Sequence, residues 1–244
     1  MHRRFPSGYL STPRDIAVYV PPGYDETTAK LPVLYLQDGQ NLFDPATAFN
    51  AQDWGADITA DALIRERAIE PLIMVGVFNT GVRRISEYTP TRDPNRRKGG
   101  KGDRYSQMLA RELKPFIDRE YRTRRDAAGV GGSSLGGLVA LEAALLYPRV
   151  FSRAAVLSPS VWWDNRSILE MVRQYQALLR PRIWLDSGTR EDNRVIDDLR
   201  LLRAALLEKG WVLDDTLHYR EIEGASHNEA AWASRFGDVL KCLF

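Results

Sequence analysis

The run Val130-Gly131-Gly132-Ser133-Ser134-Leu135-Gly136-Gly137-Leu138 restricts what this chain can fold into more than any other stretch. In frame, Gly132-Ser133-Ser134-Leu135-Gly136 reads G-x-S-x-G with Ser134 at its centre. A small, apolar run from Ala127 to Val130 precedes it, and Leu138 to Leu146 reads as a buried helix. Strand, tight turn and helix together form the setting in which a serine is held in strained geometry at the end of a sheet. Glycines two residues to either side remove Cβ atoms that would meet the neighbouring strand and helix. A frame centred on Ser133 fails, because Leu135 stands where the second glycine is needed. No Gly-Lys-Ser/Thr follows, which excludes a phosphate-cradling loop, and the G-x-G-x-x-G frame opening at Gly129 ends on Ser134, which excludes a dinucleotide fingerprint. The competing reading is a glycine-rich turn without chemistry; the flanking strand and helix argue against it.

With 244 residues, 44% of them hydrophobic, the chain can bury the core of one α/β domain, residues 1–244. A net charge of +2 points to neither nucleic acid nor an anionic membrane, and no apolar run is long enough to span a bilayer. Cys242 is the single cysteine, so an internal disulfide is excluded and a reducing compartment fits. The basic start Met1-His2-Arg3-Arg4 lacks the apolar stretch of a signal peptide, and a cytoplasmic location is expected. Of three histidines, His2 sits at a terminus expected to fray, and His218 lies in the strand-like run Thr216 to Ile222. Only His227 falls in a loop, so neither a metal site nor a cofactor is expected.

Strands are expected at Arg14–Val20, Leu31–Leu36, Leu72–Phe78, Ala127–Val130, Val150–Leu157, Arg182–Asp186 and Thr216–Glu223. Helices are expected at Asp57–Arg67, from Tyr105 to about Ile117 with a break near Pro115, and at Leu138–Leu146, Ile168–Leu179, Val195–Lys209 and Glu229–Leu240. Asn79 to Arg104 reads as a long, basic, irregular loop of the kind that often belongs to a site. The alternation predicts a mostly parallel central sheet with helices on both faces and no large cap domain.

In such a sheet, ligands sit outside the carboxyl ends of the strands. The turn after Leu36, Ser134, the acidic loop after Leu185 and His227 all fall there, in the order serine, acid, histidine that marks an α/β-hydrolase triad. A serine hydroxyl needs a base to take its proton, and His227 is the suitable side chain; a loop histidine that merely caps the next helix is the bland alternative. A carboxylate must then fix the imidazole tautomer. Glu191 is preferred, with Asp192 second; Asp186 at the strand end suits a bond to turn backbone. An oxyanion would require two backbone N–H groups, one from Leu135 and the other from Gln40 or Gly39.

These motifs carry a resemblance. Leu34-Tyr35-Leu36-Gln37-Asp38-Gly39-Gln40-Asn41-Leu42-Phe43, Glu87-Tyr88-Thr89-Pro90, Glu112 to Asp118, Gly131 to Leu138 and Ser158-Pro159-Ser160-Val161-Trp162-Trp163 are similar to the putative esterase family. That family groups feruloyl and acetylxylan esterases, S-formylglutathione hydrolase and siderophore esterases of the enterochelin type. The resemblance spans nearly the whole chain and implies an α/β-hydrolase fold, a serine nucleophile at Ser134 and a base at His227. It also places the acid in the Gly188-Thr189-Arg190-Glu191 loop, where many members carry Asp; Glu191 with Asp192 beside it departs from that pattern.

The expected activity is cleavage of a small carboxylic ester through an acyl-enzyme. Acyl transfer on the same scaffold is the alternative, and a catalytically silent binding scaffold ranks below both. Asp38, Arg84, Tyr88, Trp162 and Trp163 are the candidate substrate-binding residues, with aryl, acetylated-sugar or siderophore esters as candidate substrates. Aromatic faces at Trp162 and Trp163 suit an aryl or sugar group, although core packing is as good a reading for one of the two. Arg83, Arg84, Arg92, Arg96, Arg97, Lys98, Lys101 and Arg104 read mainly as a solvated loop surface. Oligomeric state has no signature in the sequence.

Overall fold

The computed structural model describes residues 1–244, Asn193 by its backbone alone. In chain order the elements are β1 (His2–Phe5), β2 (Arg14–Tyr19), β3 (Leu31–Gln37), α1 (Ala56–Arg65), β4 (Ile73–Val77), α2 (Arg84–Glu87), β5 (Arg92–Asp93), β6 (Lys98–Gly99), α3 (Gly102–Met108) and α4 (Lys114–Glu120). There follow β7 (Thr123–Ser133), α5 (Leu135–Leu146), β8 (Phe151–Leu157), α6 (Ser167–Arg173), β9 (Arg182–Gly188), α7 (Asn193–Glu208), β10 (Leu217–Ile222) and α8 (Glu229–Leu243).

One sheet carries the order β1-β2-β4-β3-β7-β8-β9-β10. From β4 to β10 every neighbouring pair is parallel, while β2 runs antiparallel to both β1 and β4. This is the α/β-hydrolase arrangement, and its strands are apolar on both faces for a simple reason. Successive side chains point to opposite sides, and here both sides are covered. Along β3, Val33 and Tyr35 enter one core while Leu34 and Leu36 enter the other. The same alternation divides Ile183 and Leu185 from Trp184 on β9. Helices α1 and α8 supply Ala60, Leu63, Phe236 and Val239 to the second core, whereas α3, α5, α6 and α7 close over the first.

Several boundaries differ from expectation, each with a cause. His2 does not fray: β1 pairs with β2, and the His2 Nε2 lies 2.8 Å from the Tyr121 hydroxyl. Asn79 to Arg104 is less irregular than its sequence, since it holds α2 and the ribbon of β5 with β6. Pro115 does not end its helix. The helix runs on through a π-helical turn, Leu109–Leu113, into α4, and that looser turn just before the proline absorbs its missing N–H. Helix α6 stops at Arg173, short of the expected Leu179, and Leu178 is exposed. Among the described residues, no helix is long and apolar enough to cross a membrane.

Candidate active site

Ser134 joins β7 to α5 with φ 57° and ψ −123°, a backbone region that non-glycine residues rarely occupy. The strain is held by packing. A Cβ on Gly132 would come 2.9 Å from the Gly136 carbonyl carbon, and one on Gly137 would come 2.9 Å from the Leu157 carbonyl oxygen. The Ser134 N–H is tied down by the Leu157 carbonyl at 3.0 Å. Glycine around Ser134 is therefore a steric requirement, as the motif implied.

The Ser134 Oγ lies 3.0 Å from His227 Nε2, and His227 Nδ1 lies 2.7 Å from Glu191 Oε2. Those partners set the tautomer. An ionised carboxylate only accepts, so Nδ1 carries the proton and Nε2 accepts from the serine hydroxyl. The other oxygen of Glu191 accepts the Ser158 hydroxyl at 2.6 Å and the Gly188 N–H at 2.9 Å. Burial by itself would raise the Glu191 pKa, but the bonds from His227, Ser158 and Gly188 overcome it and bring the carboxyl down to about 2. A group depressed in the folded state stabilises the fold above its unfolded value of about 4.3, and that contribution fades as pH falls toward about 2. Glu191 therefore stays ionised across any working pH. A pH–rate profile of kcat/KM is expected to show no step from Glu191 at mildly acid pH.

Asp192 is exposed and caps α7, its carboxylate accepting the Arg194 N–H at 2.9 Å, so it does not reach the imidazole. Asp186 is wholly buried; Arg235 Nε donates to its Oδ2 at 2.9 Å and Trp184 Nε1 donates to the same oxygen at 2.6 Å. One of its oxygens does accept turn backbone, the Ser158 N–H at 3.3 Å, as its position suggested.

A pocket of about 390 Å³ opens on Ser134, lined by Asp38, Gln40, Asn79, Arg84, His227 and Glu229 among others. Arg84 grips Asp38 with two bonds, 2.8 and 2.6 Å, and Asn79 Nδ2 adds a third donor at 2.7 Å. Burial, with Asp38 nearby, pushes the Glu229 carboxyl up. Leu135 opens α5, whose first N–H groups have no partner within the helix. The Gly39–Asn41 turn gives Gln40 and Asn41 to the pocket lining, and here Gly39 and Gln40 differ. Gly39 is pressed against β4, where an added Cβ would come 2.3 Å from the Gly76 carbonyl carbon, while Gln40 lines the pocket. Gly39→Ala is expected to lower stability by about 1–3 kcal/mol through overpacking and to lower kcat about tenfold as the turn shifts. Denaturant melts and ester turnover on the same sample check both.

Three expected substrate contacts lie outside this pocket. Tyr88 is fully buried beneath the pocket, its hydroxyl accepting the Asp38 N–H at 3.3 Å, so it supports the wall and does not meet a ligand. Trp163, 2% exposed, is core, with its N–H donated to the Thr91 carbonyl. Trp162 is 43% exposed and lines a separate pocket of about 520 Å³ that shares no lining residue with the one on Ser134, with Arg96 lying 5.1 Å over its ring. Sequence reasoning missed Ser160, whose Oγ is 3.3 Å from that of Ser134, and missed Ser158 and Arg235. In sequence the Ser158-Pro159-Ser160 turn reads as part of the family resemblance, with no role given to either serine. Among the described residues no cluster of three or more His, Cys, Asp or Glu is placed to hold a metal ion.

The strand order and the strained turn at Ser134 describe an α/β-hydrolase fold. The sequence matches the family described as "Putative esterase" over residues 7–242, and the chain belongs to that family; it is a carboxylic ester hydrolase. Among its relatives, the uncharacterized protein YbbA of Bacillus subtilis (strain 168) is 25% identical over 248 residues, covering 95% of this chain and 92% of that protein. The ferri-bacillibactin esterase BesA of the same organism is 27% identical over 227 residues, with 82% of this chain and 74% of that protein covered. The crystal structure of the BES protein from Bacillus cereus matches with a TM-score of 0.77 at 23% identity, covering 95% of this chain and 89% of that one, a likeness of fold.

Proposed function

We propose that Ser134 is the nucleophile of a serine esterase, with His227 as general base, Glu191 as the acid that orients it, and the Leu135 and Gln40 N–H groups as oxyanion donors. The observation that carries this reading is the continuous row from Ser134 Oγ through the imidazole to Glu191, at 3.0 and 2.7 Å. Attack by Oγ on the ester carbonyl passes the hydroxyl proton to Nε2 and places negative charge on the carbonyl oxygen. Collapse of that intermediate expels the alcohol, which takes the proton from Nε2. Water, deprotonated in turn by Nε2, then releases the acid and restores Ser134. Ser160 stands beside Oγ as a second hydroxyl; because the Ser134 proton points to the imidazole, Ser160 is the donor of that pair.

For substrates, the reading is a small-molecule ester that carries an aromatic group, with siderophore esters among the candidates. Trp162, exposed in its own pocket with Arg96 over its ring, supports an aromatic subsite, and the name of BesA, a ferri-bacillibactin esterase, supports the siderophore class. A cytoplasmic setting belongs to the same reading, on the strength of the lone Cys242. A fluorophosphonate probe is expected to label the peptide containing Ser134, with prior incubation in an aryl ester slowing the labelling. Labelling of a different peptide would overturn the assignment.

A further inference from the structure

Ser158 follows β8 and is wholly buried, with φ 41°. Its Oγ is saturated. Trp232 Nε1 donates to it at 3.0 Å and Arg235 Nη2 at 2.9 Å, and its own proton goes to Glu191 Oε1 at 2.6 Å. A hydroxyl has one proton and two lone pairs, so two donors on the oxygen leave the proton a single destination. Arg235 is a buried cation next to a buried carboxylate, and a guanidinium would ordinarily take such a carboxylate in its fork. That fork is already filled: Arg235 Nε and Nη2 reach Asp186 Oδ2 and Oδ1 at 2.9 and 3.0 Å, and Trp184 adds a donor to the same carboxylate. Ser158 lies between the two, and Trp232 meets the imidazole of His227 edge to face at 4.9 Å.

We infer that Ser158 is a positioning residue for the reaction: the Asp186–Arg235 pair and Trp232 lock its hydroxyl as a donor to Glu191 Oε1, which leaves Oε2 to His227. The inference rests on the proposed role of Glu191. It differs from a packing role in a checkable way. Without the Ser158 oxygen, the Arg235 N–H that it held is freed, Glu191 turns from His227 toward it, and the imidazole loses the carboxylate that orients it.

The test compares Ser158→Ala with the parent enzyme on a p-nitrophenyl ester, with active sites counted by fluorophosphonate titration. The expected result is kcat per active site lower by about ten- to a hundredfold, the loss that one hydrogen bond to a charged group implies. KM should stay within about twofold, so that the loss falls on kcat alone. Unchanged kcat per site, or a loss that appears in KM and not in kcat, would overturn the inference while leaving the esterase reading intact. A parent enzyme without ester turnover would defeat that reading and this one with it. Should Ser158→Ala fail to fold, proton NMR of the parent decides: a slowly exchanging Ser158 hydroxyl proton with a nuclear Overhauser effect to the Glu191 side chain supports the lock, and a freely exchanging one refutes it.

Discussion

Ser134→Ala is expected to lower kcat/KM for carboxylic esters by about 10⁵-fold or more while leaving the protein folded. The magnitude follows from what the hydroxyl does. Without it there is no acyl-enzyme, and any remaining rate comes from water activated by His227 and from the oxyanion donors. The fold should survive because the strained backbone at residue 134 is imposed by its glycine neighbours and by the Leu157 carbonyl, none of which the change removes. Alanine accepts φ 57° no more readily than serine, so the melting temperature should move little. Turnover and a thermal melt on one preparation separate the two effects. A variant keeping even a hundredth of the activity would not fit a nucleophile at this position.

The second large effect concerns the acid, where this chain departs from the common pattern of the family it resembles. Glu191→Gln is expected to cost about 10⁴-fold in kcat, as for a triad whose histidine is left in the wrong tautomer. The amide keeps the shape, but its NH2 group would donate where the imidazole Nδ1–H must also donate. Asp192→Asn is the matched control. Its carboxylate caps α7 at the surface, and asparagine caps nearly as well, so both activity and stability should stay close to the parent. Equal losses from the two substitutions would mean that the acid has been misassigned.

Most of the architecture was legible because its physics is local. Strands covered on both faces write continuous apolar runs, and Leu31 to Leu36 and Leu72 to Phe78 could hardly be anything else. Ser134 was legible for a similar reason: the steric demands of the elbow fall within five residues of chain, so the glycines announce it. His227 emerged by elimination from three histidines. The choice between Glu191 and Asp192 was not local. Adjacent residues in a turn point in different directions, and what selects Glu191 is the Ser158 hydroxyl, 33 residues away, with the Gly188 N–H. Asp186 and Arg235 are 49 residues apart, and neither carries any sequence mark of the other. Tyr88 and Trp163 show the opposite error. Aromatic residues near a strand end suit a ligand or a core equally well, and only burial distinguishes them. The short β1 was invisible because its order comes from pairing with β2 and from the Tyr121 contact, not from its own four residues.

The central claim is a covalent one, and it can be read directly. The enzyme would be mixed with a slowly deacylating aryl ester, quenched in acid within the first turnover, digested and weighed. The account expects one acyl group per chain, carried by the peptide that contains Ser134. An acyl group on any other residue, or rapid ester cleavage with no acylated peptide at all, would contradict it.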